Sequence, residues 1–230
     1  MYIFQYFNMR TCKIKSLIIL ILIIPITSFH QNKPKILIIG DSISIGYTPY
    51  VRDKLENEAI VFHNPGNAQH TGTGLEKIAE WIGDEQWDIV QFNWGLWDLC
   101  YRHPDSKVQG NRDKINGQIT FSLEEYVVNL DSIVSKLKAI SDAKLIFVTT
   151  SYVPKEEAGR YSKDAIRYNA AAKKVMKKHS IVVNDIYRQT IPIHKQYGKG
   201  PDDVHYTNQG YKNLSEQIAN FLRDELNNKR

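Results

Sequence analysis

Apolar residues fall into short unbroken runs, separated by stretches in which they return every three or four positions. Ile36 to Ile39, bounded by Pro34 and Gly40, read as a strand buried on both faces. With Lys35 it gives a first strand at Lys35–Ile39. Similar runs predict strands at Ala59–His63, Trp87–Phe92, Lys144–Val148 and Ile181–Ile186. Helices are predicted between them. One begins near Ser44 to Pro49 and is clearest over Tyr50–Asn57. Leu75–Ile82 carries Leu75, Ile78, Ala79 and Ile82 at helical spacing. Ser-Leu-Glu-Glu from Ser122 is a capping box, and Tyr126, Leu130, Ile133, Val134 and Leu137 then make one apolar face. Asp164–Lys178 and Asn208–Leu226 complete the set. Asp98 to Ser122 shows no period and reads as an ordered loop over a site, since long loops in compact domains are often functional. Strands alternating with helices predict an α/β protein, a three-layer α/β/α sandwich around a five-stranded parallel sheet, flavodoxin-like.

The N-terminus stands outside this pattern. Arg10, Lys13 and Lys15 precede the apolar run Leu17–Ile24, which Pro25 closes. A membrane span needs roughly 20 apolar residues, so the shorter run reads as a secretory signal peptide, with an uncleaved signal anchor as the alternative. Residues 1–32 are therefore separated from a domain at 33–230. Export to the periplasm or the medium is expected, with membrane attachment only if the signal segment is retained. Thr27, Ser28 and Phe29 make a poor cleavage site, and Met9 is a possible alternative start.

Composition changes the picture little. At 42% hydrophobic and 24% charged the chain is an ordinary globular protein, and 230 residues suffice for one full core. Its formal net charge of +5 falls to about +2 once the three cations of residues 1–32 are set aside. A nucleic-acid partner would need a clustered basic face, and Lys173, Lys174, Lys177 and Lys178 read more simply as a solvated helix face. Of two cysteines, Cys12 lies in the presumed signal and leaves Cys100 unpaired, so no disulfide framework is available. No Cys/His spacing suggests a structural metal.

Candidate chemistry begins where the first strand ends. Asp41 and Ser42 follow Gly40 at the carboxyl edge of a parallel sheet, where open α/β folds place ligands, and beside a helix N-terminus with free N–H groups. Ser42 is thus either a nucleophile or a plain helix cap. A serine nucleophile needs a base, and the base needs an orienting group. Asp202-Asp203-Val204-His205, in a turn opening the last helix, offers both: His205 as base and Asp202, three residues earlier, to hold its tautomer.

These two blocks resemble the GDSL-type or SGNH serine hydrolases. Gly40-Asp41-Ser42-Ile43-Ser44 looks like the family's nucleophile block and Asp202-x-x-His205 like its terminal block. The resemblance implies Ser42 as nucleophile, His205 as base, Asp202 as its orienter, and no metal or other cofactor. The middle blocks, which should supply the oxyanion hole beside the Ser42 N–H, depart from the pattern. In Asn93-Trp94-Gly95-Leu96-Trp97-Asp98, Trp97 stands where the family has an asparagine. Asn93 is then either the replacement donor or a strand-end cap. In Asn64-Pro65-Gly66-Asn67-Ala68-Gln69-His70-Thr71, Gly66 is the only early glycine, while the family's glycine position falls on Gln69. Both are candidate donors. His70 reads more simply as a satisfied loop histidine.

Trp94 and Trp97 lie just past the third strand and are candidates to bind substrate, by stacking on sugar faces or covering an acyl chain. Trp81 and Trp87 read as core. Arg102 and Arg112, in the loop that follows, are either solvated or placed to meet a sugar carboxylate or sulfate. The expected activity is a secreted serine esterase that removes small acyl groups, acetyl first, from carbohydrate. The alternatives are a lysophospholipase or thioesterase acting on lipid, and a polysaccharide-binding protein with weakened catalysis.

Overall fold

The computed structural model describes residues 1–2 and 33–228. The chain divides into Met1–Asn32 and Lys33–Arg230, and every helix and strand among the described residues belongs to the second unit. The signal segment and its cleavage site lie outside the described residues. Among the described residues, no helix is long and apolar enough to cross a membrane.

In chain order the elements are β1 (Lys35–Ile39), α1 (Ser42–Lys54), β2 (Ile60–His63), α2 (Thr71–Ile82) and β3 (Ile89–Phe92). Next come two short strands, β4 (Tyr101–Arg102) and β5 (Gln118–Ile119), then α3 (Leu123–Ile140) and β6 (Lys144–Val148). The chain ends with α4 (Ser162–His179), β7 (Val182–Asn184), α5 (Tyr187–Tyr197) and α6 (Asn208–Asn227). Five strands form one sheet in the order β2-β1-β3-β6-β7, every pair parallel. Ile36 to Ile39 are at most 2% exposed, because helices cover both faces; each such side chain contributes about 1.5–3 kcal/mol. Helix α1 packs on α6 and α6 on α5, while α2 packs on α3 and α3 on α4. The expected flavodoxin-like α/β/α sandwich is the observed one.

The strand order reverses at β1. The chain moves outward to β2 and returns to β3 on the other side, so a crevice opens beyond the carboxyl ends of β1 and β3. The segment from Ser122 folds as expected: Ser122 Oγ accepts from Glu125 N, and the Glu125 carboxylate accepts from Ser122 N at 2.8 Å.

Three local expectations need correction. Helix α1 starts at Ser42, two residues before the earliest expected start at Ser44, runs to Lys54 rather than Asn57, and holds Pro49 inside it. Helix α5, with Pro192 inside, lies where no helix was expected. A proline normally marks a first turn, but a packed neighbour can hold a helix that contains one; α1 and α5 both lie on α6. The segment from Asp98 to Ser122 is not a plain loop, because β4 and β5 pair antiparallel within it.

Candidate functional site

The turn after β1 is built by its neighbours. Gly40 N donates to Asn64 Oδ1 at 3.0 Å, and Gly40 O accepts from Ala68 N at 2.9 Å. The loop after β2 is thereby latched to the end of β1. A Cβ on residue 40 would lie 2.7 Å from Ser44 Oγ, so only glycine fits without displacement. The capping residue of α1 is Asp41, whose Oδ1 accepts from Ile43 N at 2.9 Å. Ser42 is therefore the first helical residue and not the cap. Its backbone N–H has no hydrogen-bond partner among the described residues. Burial pushes the Asp41 carboxyl above its ordinary range, against the lowering effect of the Ile43 N–H.

Ser42 Oγ lies 2.8 Å from His205 Nε2. His205 sits in the turn between α5 and α6, which a bridge between Gly198 and Tyr206 and a bond from Lys199 N to His205 O at 3.0 Å pin in place. The carboxylate behind the imidazole belongs to Asp203, not to Asp202. Asp203 Oδ1 accepts from His205 N at 2.9 Å and faces His205 Nδ1 at 2.5 Å. A carboxylate two residues upstream closes an Asx turn on the backbone N–H and thereby meets the ring of the same residue. Asp202 is exposed and makes no bond to His205 among the described residues. Burial alone would raise the Asp203 carboxyl, but its two bonds from His205 outweigh this and hold it below the usual carboxylate range. With Nδ1–H given to Asp203, His205 Nε2 carries the lone pair that faces the Ser42 hydroxyl. His194 Nε2 donates to Asp203 O at 2.6 Å and braces the turn from α5.

The expected oxyanion donors other than Ser42 do not meet at this point. Gln69 has a positive φ of 51°, in the left-handed region that favours glycine, but its N–H is already given to Asn67 Oδ1 at 2.8 Å. The Gly66 carbonyl is tied back to Asn64 Nδ2 at 3.3 Å, and neither residue lines the cavity beside Ser42. Asn93 Nδ2 donates to Val148 O at 2.7 Å, joining the ends of β3 and β6; it is the strand-end cap. Asn67 takes their place at the cavity. Its Oδ1 is engaged by Gln69 N, and its amide NH2 has no partner among the described residues.

Trp94 is 1% exposed and gives its indole N–H to Ala68 O at 3.2 Å, so it is core and cannot touch a ligand. Trp97 does line the cavity. The Arg102 guanidinium covers its ring at 4.8 Å, which closes that face to a stacked sugar. His70 caps α2, accepting from Thr73 N at 3.2 Å.

The cavity has a volume of about 270 Å³ and runs from Ser42 and His205 to Arg102, Arg112 and Arg160. Arg112 Nη1 and Arg160 Nη1 both donate to Oε1 of fully buried Glu157, at 2.6 and 2.8 Å. The other Glu157 oxygen accepts from Gly159 N at 2.8 Å. Arg160 Nε donates to Leu96 O at 2.6 Å. Sequence reasoning missed Asp203, Asn67, Arg160 and Glu157. Asp203 shares a turn with Asp202 and the same block of polar residues. Arg160 and Glu157 follow the carboxyl end of β6, a segment the ligand rule for parallel sheets singles out.

Residues 38–212 match the GDSL-like lipase/acylhydrolase family. No curated protein matches the sequence significantly. Among solved structures, the acetylxylan esterase Axe2 of Geobacillus stearothermophilus is similar at 18% identity and a TM-score of 0.64, over 82% of this chain and 94% of that one. A lipase/acylhydrolase from Enterococcus faecalis is 18% identical with a TM-score of 0.63, covering 84% of this chain and 96% of that one. A GDSL-like lipase of Bacteroides thetaiotaomicron, also 18% identical, has a TM-score of 0.60 over 83% and 88% of the two chains. At such identities these likenesses carry the fold, not the substrate. The match from β1 into α6 settles the ancestry: this chain belongs to the GDSL-like lipase/acylhydrolase family.

Proposed function

We propose that this protein is a serine esterase that removes a small acyl group, acetyl first, from a carbohydrate. The observation that carries the reading is the 2.8 Å approach of Ser42 Oγ to His205 Nε2, with Asp203 at 2.5 Å from Nδ1. In this mechanism His205 takes the Ser42 proton as Oγ bonds to the ester carbonyl carbon. The carbonyl oxygen becomes an oxyanion that accepts from Ser42 N–H and the Asn67 amide. When the tetrahedral adduct collapses, the C–O bond to the alcohol breaks and His205 gives its proton to the departing oxygen. Water then repeats the sequence on the acyl-serine and releases the acid. Asp203 remains ionised throughout and stabilises the imidazolium.

The preference for a short acyl group rests on the cavity beside Ser42, which is about 270 Å³ and brings the guanidinium groups of Arg102, Arg112 and Arg160 beside Leu96, Trp97 and Val204. The carbohydrate rests on the acetylxylan esterases that share the fold. Purified protein should hydrolyse p-nitrophenyl acetate faster than the octanoate. Ser42→Ala should cost at least 10³-fold in kcat, and Asn67→Ala about 10²-fold, the cost of one lost oxyanion donor. Equal rates for wild type and Ser42→Ala would end the hydrolase reading, and a maximum at the octanoate would transfer it to lipid esters.

A further inference from the structure

The three arginines at the Ser42 cavity carry more hydrogen-bond donors than the fold uses. Glu157 is the one carboxylate that meets them: it binds Arg112 and Arg160, and among the described residues no carboxylate pairs with Arg102. Of the other two acids at the cavity, Asp203 bonds to His205 and Asp41 to Ile43 N, and they meet Arg112 and Arg160 only through space. Arg102 is half-buried, lies over the Trp97 ring, and spends one Nη1 donor on Gly110 O. Its Nε and Nη2 donors have no partner among the described residues, and neither do the Nη2 donors of Arg112 and Arg160.

Holding like charges together in a partly desolvated site costs free energy, which an anion can return through charge-assisted, bidentate bonds. The two buried anchors, Glu157 and the Leu96 carbonyl, fix Arg112 and Arg160 without exhausting their donors. Burial acts first to weaken the charged form of Arg102; the nearby Arg160 and Arg112 act in the same direction, and Cys100 and Glu157 oppose them. A guanidinium does not release its proton in a protein, so the cost persists until an anion arrives. Solvated arginines would instead spread into water, and none of these three is exposed.

We propose that Arg102, Arg112 and Arg160 form an anion subsite, so that the ester substrate is an acidic saccharide bearing a carboxylate or sulfate near its acyl group. This rests on the esterase reading above and narrows its substrate class. The saccharide's anionic group docks on the guanidinium donors and thereby presents the neighbouring ester to Ser42. Trp97, covered by Arg102, serves as the platform that holds the guanidinium in place rather than as a stacking surface for the sugar.

The test uses the full-length Ser42→Ala protein, so that binding is measured without turnover. Calorimetric titration compares acetylated trigalacturonate with its methyl ester, in which the same sugar has lost its charge, and with a sulfated, acetylated cellotriose. At 50 mM NaCl at least one of the two anionic ligands should bind 10-fold or more tightly than the methyl ester. That advantage should shrink several-fold at 500 mM NaCl and in Ser42→Ala/Arg102→Gln. Tighter binding of the galacturonate identifies a carboxylate as the anion, and of the cellotriose a sulfate. Equal affinity for charged and uncharged ligands, or no binding of either anion, overturns the subsite. The salt series does not depend on the arginine variant folding. Hydrolysis of p-nitrophenyl acetate by wild type reports separately on the esterase reading, so a failure of one is distinguishable from a failure of the other.

Discussion

A single residue step decides which aspartate can serve His205. Asp203 reaches both the backbone N–H and the ring of His205, whereas Asp202 is exposed and bonds to neither. Removing the carboxylate behind an imidazole leaves the wrong tautomer free to form and typically lowers kcat by about 10⁴-fold. Asp203→Asn should therefore lower kcat on p-nitrophenyl acetate by about 10²–10⁴-fold, while Asp202→Ala stays within about 3-fold of wild type. The reverse pattern would restore Asp202 to the role its spacing suggested. The spacing was legible in the sequence; the choice between adjacent acids was not, because it depends on which of two φ/ψ paths closes the turn.

At the scale of elements, the site depends on how closely α1 lies on α6, since α1 begins at Ser42 and α6 follows the His205 turn. Gly46 is where the two helices approach. A Cβ there would meet the ring of Tyr211, itself 8% exposed. Two effects compete on substitution by alanine. Helix propensity favours alanine over glycine by about 1 kcal/mol, and overpacking a rigid aromatic contact costs about 1–3 kcal/mol. The clash should win, so Gly46→Ala lowers stability by up to about 2 kcal/mol, read as a fall in the urea midpoint. A raised midpoint would show that α6 can retreat freely. Helices whose caps and apolar faces are local, such as α3 after Ser122, were readable from sequence. Helices α1 and α5 were not fully so, because each contains a proline and is held by α6.

For the whole molecule, stability carries a pH signature from one buried acid. Asp98 is fully buried; its Oδ1 accepts from Thr71 N at 2.9 Å and Thr71 Oγ1 at 2.5 Å, tying the start of α2 to the segment after β3. Its Oδ2 is buried with no partner among the described residues. Burial pushes its carboxyl up to about 6, against the lowering bonds from Thr71. A group raised on folding contributes stability that is full below its unfolded value near 3.8 and is lost as pH rises through about 6. Over that window wild type should lose about 3 kcal/mol relative to Asp98→Asn, since each tenfold change in proton affinity corresponds to about 1.4 kcal/mol. Parallel denaturation profiles for the two proteins between pH 4 and 7 would remove Asp98 as the cause.

The alternation of strands and helices, the parallel sheet, and the two polar blocks that hold Ser42 and His205 are all legible in the order of residues alone. Hydrophobic period and capping chemistry are local, acting over a few residues, and they survive in any packing that buries the apolar face. It took the folded chain to show that Asp203 backs the imidazole, that Asn67 rather than Gly66, Gln69 or Asn93 faces the cavity, that Trp94 is core, and that three arginines from two separate segments converge beside Ser42. Those outcomes depend on loop dihedrals and on contacts between segments far apart in the chain, which no local pattern encodes.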